Sequence, residues 1–308
     1  MDVRDRVPGS LTKVGDCELF VREVGEGEPA LFVHGLGGNS TNWTDLMWLL
    51  SDTLHGIAPD LPGFGRSGPS PTHDYTPQAQ SEVMAQLIRD RFGEQPVNLF
   101  GNSMGGAICV QLAARHPELT RSVTLISPAL PDRMPRLSNL HMPLMALPGL
   151  GERLATRLAR LPASKRVQAT YNLIYADPDK LHPQRRLEAE EEVSLVAHKP
   201  WAGKSFHFAL QGIMHSYFHR GDEAPWSLAE RIHVPTLLIY GQQDKLVNPR
   251  GARRASRHFP DARVMVMPNC GHVAQMEHPE QVARAWRHLI EPAVTPETDT
   301  STPASPST

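Results

Sequence analysis

Three side chains in this sequence could together carry out nucleophilic catalysis: Ser103, Asp244 and His272. Ser103 is the central residue of the pattern GNSMG at positions 101–105, between a short apolar run and a helix-forming stretch that continues to about residue 115. At a sharp turn from strand to helix, side chains two positions before or after the serine would collide, so both positions need glycine. This pattern therefore predicts that Ser103 is a nucleophile held out at the edge of a sheet.

Asp244 and His272 each follow a predicted strand directly, as Ser103 does. The carboxyl ends of parallel strands lie at one edge of a sheet, so we expect the three side chains to project from the same edge. A histidine there can take the serine proton as general base, and an aspartate can fix the imidazole tautomer. Asp132 also follows a strand and is an alternative acid, although its position in the chain favours it less than Asp244.

The glycine-rich loop HGLGG at 34–38 follows another predicted strand. It lacks both the G-x-G-x-x-G spacing and the lysine of a phosphate-binding loop. We expect the backbone N–H groups of Leu36 and Met104 to bind an oxyanion. His34 and Asp60 could be taken for catalytic residues, but their positions in glycine-rich loops ahead of Ser103 predict that they brace those loops.

Strands alternate with helices along the chain, which predicts an α/β fold with a mostly parallel sheet covered by helices on both faces. The predicted strands lie at 18–24, 30–33, 56–59, from 97, and at 122–126, 235–240 and 263–267. The predicted helices lie at 42–50, 77–92, 104–115, 152–161, 164–175, 183–197, 201–218, 249–258 and 279–290.

The pattern divides the chain into a core that is interrupted by an insertion. We predict the first part of the core at 1–127, an inserted helical cap at 128–225, the second part of the core at 226–291 and a disordered tail at 292–308. The tail is rich in Ser, Thr and Pro and has few apolar residues. The cap is rich in Met and Leu between 134 and 150, a composition that suits adaptable binding of apolar chains.

Composition excludes several classes of protein. The 308 residues are 40% hydrophobic and 21% charged, with a net charge of −2, so nothing favours a nucleic-acid partner. Residues 1–13 lack the apolar core of a signal peptide, and no apolar run predicts a transmembrane segment. Three widely spaced cysteines predict neither a disulfide framework nor a zinc site, and they favour a reducing cytoplasm. We expect no metal or other cofactor, and nothing specifies an oligomeric state.

Four segments together resemble the α/β-hydrolase fold family: HGLGG at 34–38, DLPGFGRS at 60–67, GNSMGG at 101–106 and NCGHVAQMEHP at 269–279. The resemblance covers about residues 18–290, whereas the cap matches by position alone. It implies an eight-stranded type of sheet and a serine hydrolase that needs no cofactor. The last segment resembles serine esterases and monoacylglycerol-lipase-like enzymes, and GNSMGG also resembles hydrolases of carbon–carbon bonds in aromatic ring-fission products.

These observations predict a serine hydrolase that cleaves small-molecule carboxylic esters with apolar acyl parts through an acyl-enzyme. The first alternative is carbon–carbon bond hydrolysis, but enzymes of that branch usually carry Pro and Trp where this sequence has Gly38 and Val273. A cofactor-free haloperoxidase would use the same triad. A non-catalytic receptor for small molecules could also have this fold, although it would not need a paired serine and histidine.

Overall fold

The computed structural model describes residues 5–132 and 161–290, together with Gly149 and Arg157. This part of the chain has eight strands: β1 (Gly9–Val14), β2 (Cys17–Val24), β3 (Glu28–Val33), β4 (Leu54–Pro59), β5 (Val97–Asn102), β6 (Thr120–Ile126), β7 (Thr236–Gly241) and β8 (Ala262–Met267). They form one sheet in the order β1-β2-β4-β3-β5-β6-β7-β8.

The sheet is mostly parallel, as the alternation of strands and helices predicts. β2 pairs antiparallel with β1 and β4, and every other pairing is parallel. Both β5 and β7 are buried at every residue, because helices cover the two faces of the central sheet. β1 was not predicted, since it is an edge strand whose residues are mostly exposed and give no regular apolar signal.

Helices pack on both faces of the sheet. The described helices are α1 (Thr44–Leu50), α2 (Pro77–Phe92), α3 (Met104–Arg115), α4 (Ala163–Ile174), α5 (Pro183–Ala197), α6 (Ala202–Ser216), α7 (Pro225–Glu230), α8 (Gly251–His258), α9 (Ala274–Glu277) and α10 (Pro279–Ile290). The apolar cluster on one face of the sheet contains side chains from α2, α3, α7 and α8, and the cluster on the other face contains side chains from α1, α9 and α10.

Side chains of each central strand alternate between two buried layers. Leu31 and Val33 of β3 join the layer beneath α2 and α3, whereas Ala30 and Phe32 join the layer beneath α1 and α10. In that second layer Phe32 stacks on Phe100, with ring centroids 4.4 Å apart. Truncating such a buried ring costs about 3–5 kcal/mol, so the sheet is a firm base for the loops at its edge.

Several predicted helices have the bounds expected from the sequence, notably α2, α5 and α10. Thr76 begins α2 by accepting a hydrogen bond from the Ala79 amide at 3.2 Å. A helix is predicted from residue 42. The chain first forms a 3₁₀ turn at Ser40–Trp43, which Asn39 caps, and α1 begins after it at Thr44. The short helices α7 and α9 were not predicted. The predicted helix at 152–161, the Met- and Leu-rich stretch and the tail lie wholly or almost wholly outside the described residues.

Helices α4, α5 and α6 lie in sequence between β6 and β7, where the insertion is predicted. Buried ion pairs join α5 to the sheet and its loops. Glu192, whose side chain is 2% exposed, lies 3.2 Å from the Arg22 guanidinium on β2 and 2.7 Å from that of Arg66, which follows β4. Arg185 of α5 pairs at 2.7 Å with Asp45 of α1. Among the described helices, none has the length and apolar character needed to cross a membrane.

Candidate active site

Ser103 occupies a strained turn between β5 and α3. Its backbone has φ 55° and ψ −116°, a conformation that costs a non-glycine residue about 1–3 kcal/mol. The surrounding hydrogen bonds hold it there: the Ser103 amide donates to the Ile126 carbonyl at 3.0 Å, and the Ser103 carbonyl accepts from the Ala129 amide at 2.8 Å. A side chain at Gly105 would overlap the carbonyl of Val33, which explains the second glycine of the pattern.

The structure brings His272 and Asp244 together at the ends of β8 and β7. The His272 Nδ1 atom lies 2.8 Å from the Asp244 Oδ2 atom, and both side chains are buried. The other carboxylate oxygen accepts hydrogen bonds from the amides of Leu246 at 2.7 Å and Val247 at 2.9 Å. Because the carboxylate can only accept, Nδ1 carries the proton and Nε2 is left to act as a base.

Asp244 is held in its charged form. Burial raises the pKa of its carboxyl, but attraction to His272 and the hydrogen bonds from His272 and the Val247 amide outweigh burial and keep the pKa below its usual 3.8. A charged carboxylate can stabilise an imidazolium on His272. Asp132, the alternative acid, is exposed, and the bond from His272 Nδ1 goes to Asp244 instead.

Asn102 links the serine turn to the histidine loop and was not identified from the sequence. Its side-chain Nδ2 donates to the carbonyls of His272 at 2.9 Å and Ile126 at 3.0 Å. Through these two bonds Asn102, the residue before Ser103, holds the backbone of His272 close to that of Ile126. An asparagine at the last position of a predicted strand, directly before Ser103, is the one feature of the sequence that could have indicated this role.

The loop at 34–38 lies against Ser103, as predicted. A Cβ atom at Gly35 would be 3.1 Å from the Ser103 Cβ atom, so the loop backbone is close to the serine side chain. Met104 begins α3, where amides lack a partner within the helix. Neither the Leu36 amide nor the Met104 amide donates a hydrogen bond to any described residue. Both amides therefore remain candidates for the oxyanion site predicted from the sequence.

His34 and Asp60 brace the glycine-rich loops, as their positions predict. His34 Nδ1 donates to the Gly35 carbonyl at 2.8 Å and its Nε2 accepts from the Leu61 amide at 3.0 Å. Burial lowers the pKa of His34, although Asp60 and the Gly35 carbonyl oppose this. The Asp60 carboxylate accepts from the amides of Ser40 and Arg66, each at 2.7 Å.

The described residues contain no group of three or more His, Cys, Asp or Glu side chains that could hold a metal ion. All three cysteines are described, buried and free of disulfides. Burial raises the pKa values of the Cys109 and Cys270 thiols, which keeps them protonated and unreactive.

The comparison with protein families agrees with this architecture. The sequence profile for the alpha/beta hydrolase fold matches residues 29–279. The chain belongs to this family, so the resemblance found in its motifs is confirmed.

Individual relatives are distant but align over nearly the whole chain. The chain is 26% identical to Lipase 1 of Psychrobacter immobilis, over 92% of this chain and 84% of that protein. It is also 26% identical to the 2-hydroxy-6-oxo-6-(2'-aminophenyl)hexa-2,4-dienoic acid hydrolase of Metapseudomonas resinovorans, over 89% and 88% of the two chains. The crystal structure of a putative lipase from Acinetobacter baumannii aligns with a TM-score of 0.75 and 23% identity, over 91% and 90% of the chains, and supports the fold. Together these findings indicate a hydrolase whose relatives include proteins named as a lipase and as a dienoic acid hydrolase.

Proposed function

We propose that the protein is a serine hydrolase that cleaves carboxylic esters with apolar acyl parts. Ser103 is the nucleophile, His272 the general base and Asp244 the residue that orients the histidine. The observation that carries the proposal is the buried 2.8 Å contact between His272 and Asp244, at the sheet edge where Ser103 lies in its strained turn. The lipase relative supports an ester as the substrate.

The reaction follows from this arrangement. The Ser103 oxygen attacks the ester carbonyl carbon while His272 Nε2 takes the serine proton, and the amides of Leu36 and Met104 bind the resulting oxyanion. The carbon–oxygen bond to the alcohol then breaks, and His272 returns the proton to the departing oxygen. Water attacks the acyl-enzyme by the same route, with His272 again acting as base, which releases the acid and restores Ser103.

An apolar side chain beside the loop at 34–38 and another next to a hydrogen-bond partner of Ser103 support an apolar acyl part. Phe206 of α6 lies over this loop, since a Cβ atom at Gly37 would be 3.2 Å from its ring. Leu130, four residues beyond the end of β6, is buried and follows Ala129, whose amide donates a hydrogen bond to the Ser103 carbonyl. An acyl chain needs only such walls, and each buried methylene contributes about 0.8 kcal/mol. In this proposal residues 128–225 form the cap that covers the site.

The cellular setting is part of the same proposal. Three buried cysteines without a disulfide suit a reducing compartment such as the cytoplasm. The substrate is a small molecule, and the net charge of −2 offers no broad cationic surface to nucleic acid.

Carbon–carbon bond hydrolysis is the second candidate, because the relative from Metapseudomonas resinovorans is named for a dienoic acid. Such a substrate carries a carboxylate, and its site needs a cation placed against that group. Arg133 and Arg136, which follow β6 in the sequence, could supply such a cation, but they lie outside the described residues. We favour the ester because the described part of the site offers apolar walls.

A comparison of substrates on one preparation tests the choice. We expect kcat/KM for p-nitrophenyl esters to rise with acyl length over the first few methylenes from C2 towards C12, and to exceed kcat/KM for a 2-hydroxy-6-oxo-dienoate. Ser103→Ala should remove both activities without a change in Tm, whereas Ser256→Ala, a change at an exposed serine of α8, should have no effect. A dienoate preferred about tenfold or more, a difference of ~1.4 kcal/mol, would contradict the ester assignment.

A further inference from the structure

We propose that Glu277 is a positioning residue of this active site, which fixes the backbone of His272 against the end of α4. The proposal rests on the proposed function and deepens it. It assigns a role to a carboxylate that does not touch the reacting atoms, and to a segment of the inserted helices that the catalytic mechanism does not use.

The Glu277 carboxylate joins two distant parts of the chain. Its Oε1 atom accepts a hydrogen bond from the Gly271 amide at 2.7 Å, and its Oε2 atom accepts from the Ala176 amide at 2.8 Å. Gly271 directly precedes His272, and Ala176 lies two residues beyond the end of α4. Hydrogen bonds from amides to a charged acceptor are stronger than those between neutral groups. One side chain therefore ties the histidine loop to α4.

Backbone contacts at the same junction involve His272 itself. The His272 amide donates to the carbonyl of Ile174, the last residue of α4, at 2.7 Å. The two segments are in such close contact that a Cβ atom at Gly271 would lie 2.6 Å from the Ala176 nitrogen. Tyr171 and Tyr175 pack with Val273 in a small buried cluster beside these bonds. The end of α4 thus packs directly against the loop that carries His272, the proposed base.

The acid of the triad is tied to the same segment. Lys245, the residue after Asp244, donates from Nζ to the carbonyls of Asn172 at 2.6 Å and Tyr175 at 3.2 Å. The end of α4 is therefore held by the loops of both Asp244 and His272. Because these two side chains must stay aligned for proton transfer, a shift of the His272 backbone would reduce the rate of the chemical step more than it would reduce substrate binding.

Glu277→Gln is the sharpest test. Glutamine keeps the size of the side chain but has one acceptor oxygen, so it can bond only one of the two amides and turns an NH₂ group towards the other. The matched control is Glu280→Gln, three residues later, since Glu280 makes no side-chain hydrogen bond or ion pair with any described residue. Both variants are compared with the wild type and with Ser103→Ala in hydrolysis of p-nitrophenyl esters, with Tm measured on the same samples.

We expect Glu277→Gln to lower kcat roughly 10–100-fold, with KM and Tm close to those of the wild type, because misplacement of a catalytic group by about 1 Å costs up to 10²-fold in rate. Glu280→Gln should match the wild type. An unchanged kcat, or a lower Tm with an unchanged kcat, would overturn the proposal, because the contact would then be structural alone. Activity that survives in Ser103→Ala would instead refute the proposed function.

Gly271→Ala provides an independent test that leaves Glu277 in place. Its added methyl group would overlap the Ile174 carbonyl and separate the loop from α4. We expect a loss of kcat similar to that of Glu277→Gln in the folded protein. If this variant has the kcat of the wild type, or if both variants only lose folded protein, the positioning role is wrong.

Discussion

Two helices between β6 and β7, α4 and α5, contact the sheet and its loops in two different ways. α5 is held by side-chain charges: Glu192 lies between Arg22 and Arg66, and Arg185 pairs with Asp45. The end of α4 is held by hydrogen bonds to its backbone carbonyls, from the amide of His272 and from the side chain of Lys245, the residue after Asp244. The ion pairs join a helix to the sheet and its loops, whereas the bonds at α4 lie beside the backbone that carries the proposed catalytic side chains.

From this difference we expect changes at α5 to affect stability and changes at the end of α4 to affect the rate of the reaction. A buried carboxylate between two guanidinium groups mainly affects the free energy of unfolding, because its removal leaves buried positive charge without a partner. A hydrogen bond to the backbone beside a catalytic residue mainly affects the rate. The predictions below test whether changes at the two regions separate in this way.

The largest effect on activity is expected at Asp244, the proposed acid of the triad. Asp244→Asn should lower kcat on the order of 10⁴-fold, since an amide at this position favours the wrong tautomer of His272. Asp132→Asn is the matched control, because Asp132 is the alternative acid and is exposed. Ester hydrolysis under saturating substrate measures both. A larger loss in the Asp132 variant would move the acid to that position.

The next effect is a loss of stability at α5. Glu192→Gln should lower the free energy of unfolding by about 3 kcal/mol, because it removes the partner of the buried Arg22 guanidinium. The neighbouring change, Glu191→Gln, breaks an exposed ion pair with Arg6 and should cost about 0–1 kcal/mol. Urea unfolding measures the free energies, and kcat of the folded variants should stay unchanged. A fall in kcat without a loss of stability would reverse the proposed division between the two regions.

A smaller effect concerns stability in acid. The pKa of Asp244 lies below its usual 3.8 in the folded protein, so the unfolded chain takes up this proton first as the pH falls. The stabilisation from this group is present above the unfolded value and is lost as the pH falls through the folded value. Urea unfolding between pH 6 and pH 3 should show a steeper loss below pH 4 in the wild type than in Asp244→Asn. Parallel curves would show that Asp244 has no lowered pKa.

The smallest effect is expected at Phe206, which lies over the loop at 34–38. Phe206→Ala should lower kcat/KM for C8 esters relative to C2 esters several-fold, because about one or two methylenes of a longer chain would lose their apolar contact. Leu187→Ala is a suitable control, since Leu187 lies on α5 and is 62% exposed. Equal losses for short and long esters would place Phe206 away from the acyl chain.

Much of the fold and the residues of the proposed triad could be predicted from the sequence. Ser103 and Asp244 each follow a buried strand, and His272 follows the edge strand β8. Parallel strands bring their carboxyl ends to one edge of the sheet without further information. The strand β1 was missed because its exposed residues carry little apolar pattern. The strand β8 is as exposed as β1 but could be predicted, because residues 264–267 form an unbroken apolar run.

The contacts that surround the triad could not be predicted. The bond from Ala176 to Glu277 joins residues 101 positions apart, and that from Asn102 to His272 joins residues 170 positions apart. No local pattern specifies such pairs, because they depend on how segments that are distant in sequence meet in the folded chain. Glu277 was part of the segment that carries the family resemblance, but its partners could be found only in the structure.

Labelling with a fluorophosphonate tests the central claim most directly. The reagent reacts with an activated serine and leaves an inactive pocket unlabelled, so it distinguishes an enzyme from a receptor with the same fold. We expect one label per chain, located on Ser103 by peptide mass spectrometry, with loss of ester hydrolysis in proportion to labelling and no label on Ser103→Ala. An unlabelled Ser103 in protein that hydrolyses esters, or a label on another residue, would contradict the account.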